Sequence, residues 1–571
     1  MTFIGYENLF SQIEKGDLLV PISYLKNDKN IDSLVSDIIE NFDSFEGISF
    51  SSFLNTIVQT HRAEESQKFG WNEVKHCGIV NYESNKDLIF HRDNLLFLIV
   101  QLIKKDKTGN KQITGQKTFE NARNYYKSLL LINSKAVFRP LESEAEQNIL
   151  RNVFLREYPY YYIPDIVETI YRLRFQRYWH IYNDLLGNFR QQKIQEGINI
   201  ITEEYGLSLK EYFHVLSGIF TWFLIAPNTK LKDPTNNDLK KIGFDPKNTE
   251  TYYIRRQNFG DDSDLFRLIK KLSLNLNDFK IKLQKKRNDR IDGFYEDFQC
   301  FFDFPIFEID SNNYCIIDLK FLFEGLCAGF LWRINEISPS NLQEIKEQYG
   351  YLLEIYFHEL LKNIFGDQAI QVPDGEGNPD AILETDTHIF IIEFTVEYFR
   401  FASLYSENTT EFQKDVYRLL FNEGKHDLNA RNKKDKGKFH KLNDYLDKYK
   451  NSKKTIIPIL VTENYVGDFD LLDRFNGQLN KNIVSKNLHN LKLNKPLILN
   501  LDDLEVFWTL SNSKKATEQF IDFVETWNIL AEKGPYHFSF SNFISNKYRK
   551  DEIDNKSNNL FNWKNFVEKL K

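Results

Sequence analysis

Asp380 and Glu393 are the residues whose types and spacing point most directly to chemistry. In "GNPDAILETDTHIFIIEFTVE", Gly377 to Glu397, a Pro-Asp pair is followed, after twelve intervening residues, by a Glu at the end of an apolar run. A turn within "ETDTH" would fold this stretch into a β-hairpin and set the two carboxylates opposite each other. Side chains of a strand alternate between its faces, so Glu393 and Thr395 share one face while Phe390, Ile392 and Phe394 take the other. A glutamate in so apolar a run costs free energy unless it is paired or holds a cation. Two opposed carboxylates repel, and a bound Mg²⁺, or Mn²⁺ in its place, relieves that conflict. Asp380 and Glu393 are therefore the expected metal ligands.

The elements that must position this pair are visible on either side. Ser340 and Gln343 have capping-box spacing, and the helix they open carries an apolar stripe at Leu342, Ile345, Tyr349, Leu353, Tyr356, Phe357, Leu360 and Ile364. Glu354 lies at the edge of that stripe, which makes it either a third metal ligand or an exposed helical glutamate. Glu359 falls nearer the solvent side. Downstream, "TIIPILVTE" from Thr455 and "PLILNL" from Pro496 predict two further strands, with a helix beginning at "DDLEVFWTL". Upstream, the signals are mostly helical, including a capping box from Ser208 to Glu211, until "PIFEIDSNNYCIIDL" gives a second hairpin around Ser311-Asn312-Asn313. Arg172, Arg174 and Arg177 form a stripe that reads as a charged outer helix face or as a set of phosphate contacts.

"NPDAIL" followed by "IFIIEFT", after a helix bearing an acidic residue, resembles the core of the PD-(D/E)XK nuclease superfamily. The resemblance covers roughly Ser340 to Leu510. It implies a restriction-endonuclease-like α/β domain with a mixed central sheet, following a mainly α-helical N-terminal region. It also implies Mg²⁺-dependent hydrolysis of DNA phosphodiester bonds, with the carbonyl of Phe394 as a further metal ligand. Gln413 and Tyr417 match the Q-x-x-x-Y element of the exonuclease-like branch, which supports the site and the DNA end. The family's E-x-K lysine is replaced by Thr395, a form similar to the E-x-T element of some type IIS restriction and nicking endonucleases. Lys414 is the candidate to supply the missing charge from the next helix. The resemblance thus implies an endonuclease of bacterial restriction or anti-phage defence. Its alternative is a catalytically inactive nuclease-fold protein that binds nucleic acid or assembles a defence complex.

The chain as a whole bounds these readings. Its 571 residues exceed one ordinary core, and a 42% hydrophobic, 15% aromatic composition excludes a disordered protein. The expected division is a helical recognition or regulatory region over 1–300, a hairpin-containing connector over 301–339, the nuclease-like domain over 340–512 and a C-terminal helical segment over 513–571. The start of the chain lacks signal-peptide character, and the runs "LLFLIVQLI" and "GIFTWFLIA" are too short to span a bilayer. A cytoplasmic protein without membrane contact is expected. Cys77, Cys300, Cys315 and Cys327 have no metal-ligand spacing and read as reduced core thiols. A net charge of −7 offers no global attraction to nucleic acid, so DNA binding must rest on local patches. From Lys425 to Lys454, ten Lys and one Arg stand against four Asp, an excess of seven positive charges. That segment reads as a solvated loop or as a backbone-binding surface. Further partners implied are a second copy of the chain or another defence component.

Overall fold

The computed structural model describes residues 44–59, 92–105, 123–130, 164–189, 191–220, 253–258, 263–285, 297–327, 342–373, 378–396, 445–463, 490–511 and 515–533, with single positions between them. The chain divides into two units, one of Met1–Gln147, Tyr160–Pro164 and Thr202–Phe330, the other of Asn148–Pro159, Asp165–Ile201 and Leu331–Lys571. The second unit thus takes a segment from the N-terminal half, a pairing with no trace in local sequence pattern. The expected boundary between 339 and 340, and with it the Ser340 cap, lies outside the described residues.

Helices used below are α1 (Ser44–Gln59), α2 (Arg92–Lys105), α3 (Pro164–Trp179), α4 (Gln192–Tyr205), α5 (Leu209–Phe220), α6 (Leu319–Leu326), α7 (Leu342–Phe365), α8 (Leu501–Leu510) and α9 (Ala516–Lys533). In the first unit, α2 buries the run that begins at Leu95, as an apolar helix too short for a membrane must. Among the described residues no helix is long and apolar enough to cross a membrane. The Ser208–Glu211 box is formed: Glu211 Oε2 accepts from the Ser208 N–H at 2.7 Å, and the Glu211 N–H donates to Ser208 Oγ at 3.3 Å, opening α5. The predicted hairpin is β3 (Ile306–Asp310) and β4 (Asn313–Ile316). It sits in a small sheet of order β1-β4-β3-β2 with the two-residue strands β1 (Ile254–Arg255) and β2 (Ser273–Leu274). Asp318 caps α6 through the Phe321 N–H at 2.7 Å. The same carboxylate accepts from Arg92 at 2.6 Å, Asn55 at 2.8 Å and Gln59 at 2.9 Å, so a fully buried charge is satisfied by α1 and α2. Cys300, Cys315 and Cys327 are buried thiols in no disulfide, and Cys77 lies outside the described residues.

The second unit is built on a mixed sheet of order β10-β8-β7-β6-β5, with β9 beside β8. Its strands are β5 (Ile370–Gln371), β6 (Ala381–Glu384), β7 (His388–Thr395), β8 (Thr455–Thr462), β9 (Lys492–Leu493) and β10 (Leu497–Asn500). β5, β6 and β7 run antiparallel in turn, whereas β7, β8 and β10 are parallel. Every residue of β7 is buried, which is what a continuous apolar run in a parallel pair requires. Helices cover one face: Phe394 stacks on Phe357 of α7 at 4.5 Å, and Phe390 meets Phe520 of α9 at 5.3 Å. On the other face Ile389, Ile391, Ile456 and Leu460 pack with Leu442, Leu446, Leu479 and Leu488. A helical N-terminal part and a C-terminal α/β part with a mixed sheet are therefore present.

Candidate active site

β6 and β7 form the predicted hairpin. Its turn is closed by the Thr385 N–H, which donates to the His388 carbonyl at 2.9 Å, inside the expected "ETDTH". Ala381 pairs with Ile392, so one further step of the same register sets Asp380 opposite Glu393. Asp380 Oδ2 accepts the Phe394 N–H at 2.6 Å, continuing the ladder with a carboxylate where the strand itself has ended. In an antiparallel pair the N–H and C=O of one residue leave on the same side, so the Phe394 carbonyl also points toward this edge. Glu393 and Thr395 follow Ile389 and Ile391 on the sheet face away from α7, as alternation requires. Glu393 is fully buried, and Thr395 lies in register with Thr462 of β8.

Helix α7 meets this hairpin along one side. Gly350 lies against Val396, where a Cβ would stand 3.9 Å from Cγ1, and Phe357 stacks on Phe394 with their planes 7° apart. His358 Nε2 is 2.9 Å from the carbonyl of Asp380. Glu354, read as either a third metal ligand or an exposed helical glutamate, is exposed. Among the described residues no group of three or more His, Cys, Asp or Glu side chains is gathered to hold a metal. Its position at the stripe edge turns outward because Leu353 and Phe357 take the buried positions. Glu359 accepts from His180 at 2.9 Å, and His180 also meets Asp184 at 2.8 Å. Burial pulls His180 down, but those two hydrogen bonds and the two negative charges outweigh it and raise its pKa above the usual value.

Gln413, Lys414 and Tyr417 lie outside the described residues, as does most of the basic segment. At the segment's described end, Lys448 Nζ donates to Asn378 Oδ1 at 3.0 Å and stands 3.9 Å over the Tyr445 ring. Lys454 pairs with Glu384 at 2.8 Å. These two lysines are held against the hairpin, Lys448 through the residue two before Asp380.

The arginine stripe is neither an outer face nor a set of phosphate contacts at two of its three positions. Arg174 and Arg177 are buried and grip Asp502, with contacts of 2.5 and 2.9 Å, and Arg177 lies 3.3 Å from Glu505. Burial pushes Asp502 up, but the two guanidinium groups hold it below the usual carboxylate range. Glu505 differs: burial, joined by the charge of Asp502, pushes it up to about 7 against the pull of Arg177. Tyr356 donates to Glu505 at 2.6 Å, while Tyr349 and Tyr178 donate to the buried Glu463 at 2.8 and 3.3 Å. These groups tie α3, α7, α8 and the end of β8 together.

Two opposed carboxylates and a strand carbonyl are hard oxygen donors. That set suits Mg²⁺, which takes one or two protein carboxylates and leaves its other positions to water and phosphate. Compared with protein-family models, curated proteins and solved structures, the chain matches none.

Proposed function

We propose that the second unit is a Mg²⁺-dependent phosphodiesterase acting on nucleic acid, with DNA as its first substrate. The observation that carries the reading is the Asp380–Glu393 register, with Asp380 fixed on the Phe394 N–H at the open end of a hairpin in a mixed sheet. The PD-(D/E)XK resemblance of "NPDAIL" and "IFIIEFT" supports the same assignment, and the defence setting rests on that resemblance alone.

Asp380, Glu393 and the Phe394 carbonyl would hold the cation. A divalent cation there supplies charge neutralisation at the phosphate and lowers the pKa of water. Thr395 presents a hydroxyl that accepts and donates, on the same strand face as Glu393. Lys414 is assigned the role of orienting the attacking water, with Gln413 and Tyr417 supporting the strand end. Lys448 would offer positive charge beside the hairpin for backbone contact, while the charge of Lys454 is balanced by Glu384.

A second reading, a nuclease fold that binds without turnover, is favoured by Thr395 itself. It is buried beside Thr462 where the resemblance calls for a lysine. Incubation with supercoiled plasmid, single-stranded DNA and RNA in Mg²⁺, Mn²⁺ or chelator separates the two. The first predicts metal-dependent cleavage, the second retention on the nucleic acid with no product.

A further inference from the structure

We propose that His358 is the positioning residue of this site, and that α7 acts on it through an imidazole. The inference rests on the reading of Asp380 and Glu393 as a cation-holding pair. A main-chain carbonyl only accepts, so the 2.9 Å contact with the Asp380 carbonyl requires His358 Nε2 to carry the proton and donate. Asp380 is then fixed at three places: its carbonyl by His358, its Oδ2 by the Phe394 N–H at 2.6 Å, and its successor Ala381 by the ladder to Ile392. The neighbouring residue on the same helical turn, Phe357, stacks on Phe394 at 4.5 Å. One turn of α7 therefore holds both strands, Phe357 on the Glu393 strand and His358 on the Asp380 strand. Their spacing sets the separation of the two carboxylates. Outer groups that orient ligands in this way are worth on the order of tenfold or more in metal affinity.

The test compares His358→Ala and His358→Gln in the full chain, by hydrogen–deuterium exchange of the peptide carrying Phe394 and by Mn²⁺ titration. The proposal expects His358→Ala to speed exchange at Phe394 and to weaken Mn²⁺ by about tenfold, with the melting temperature changed little. His358→Gln, whose amide still donates, should recover most of both. Wild-type exchange at Phe394 in His358→Ala overturns the proposal, and so does a glutamine variant no better than alanine. If wild type takes up no Mn²⁺, the cation reading fails on its own account, and the exchange measurement still decides whether His358 positions Asp380.

Discussion

The carboxylate of Asp380 accepts the backbone N–H of Phe394 at 2.6 Å, directly beside Glu393 in the neighbouring strand. The residue proposed to hold the cation is also the residue that continues the ladder past the end of its strand. Asp380→Asn keeps an acceptor for that N–H and removes the charge, whereas Asp380→Ala removes both. Cleavage should be lost in each. Stability, followed by chemical denaturation, should fall by about 1–2 kcal/mol in Asp380→Ala and much less in Asp380→Asn. Equal stabilities would show that the Phe394 contact is not a structural one.

The buried arginines give a prediction independent of any activity. Arg174→Met leaves Asp502 with a single guanidinium, and Arg177→Met does the same while also taking the guanidinium from Glu505, which keeps the Tyr356 hydroxyl. Removing one member of a buried ion pair typically costs roughly 3–5 kcal/mol, so both variants should unfold well below wild type. A melting temperature within a degree or so of wild type in Arg177→Met would remove this network from the forces holding α3 to α8.

Glu505 gives the fold a pH dependence of its own. Its pKa rises from 4.5 in the unfolded chain to about 7 in the fold, so the folded state keeps a proton that the unfolded state gives up. The stabilisation is complete below 4.5 and is lost as pH rises through about 7, with a total of roughly 3 kcal/mol. Glu505→Gln should flatten the stability profile across that window. An unchanged slope would place the titration elsewhere.

Much of the site's scaffold could be read from the residues. The period-two alternation of "HIFIIEFTV", the turn at Thr385 to His388 and the stripe from Ile345 to Ile364 are local patterns, and local sterics set them. Arg174 and Arg177 were unreadable for the opposite reason. Their partners Asp502 and Glu505 stand more than 300 residues later, and only tertiary packing tells a buried charge from an exposed one. His358 was missed because its partner is a main-chain carbonyl, which leaves no motif; its place next to Phe357 in the buried stripe was the sole signal. Glu354 fits the spacing yet turns to solvent, since a residue at the edge of an apolar stripe borders the polar face of the helix.

Thr395 is buried in register with Thr462, so Thr395→Lys puts an ammonium into a buried position beside a second threonine. With Lys414 assigned to the attacking water, the added charge should leave single-turnover cleavage unchanged or slower, and Lys414→Ala should slow it strongly. A faster Thr395→Lys enzyme would show that the site lacks a lysine altogether.

The central claim is that Asp380 and Glu393 together hold one divalent cation. Its most direct test is the number and affinity of Mn²⁺ ions bound, read by electron paramagnetic resonance in wild type, Asp380→Asn and Glu393→Gln. The account predicts one site in wild type that is lost in both variants, with folding retained. Equal Mn²⁺ uptake by all three proteins, or none by wild type, would contradict it.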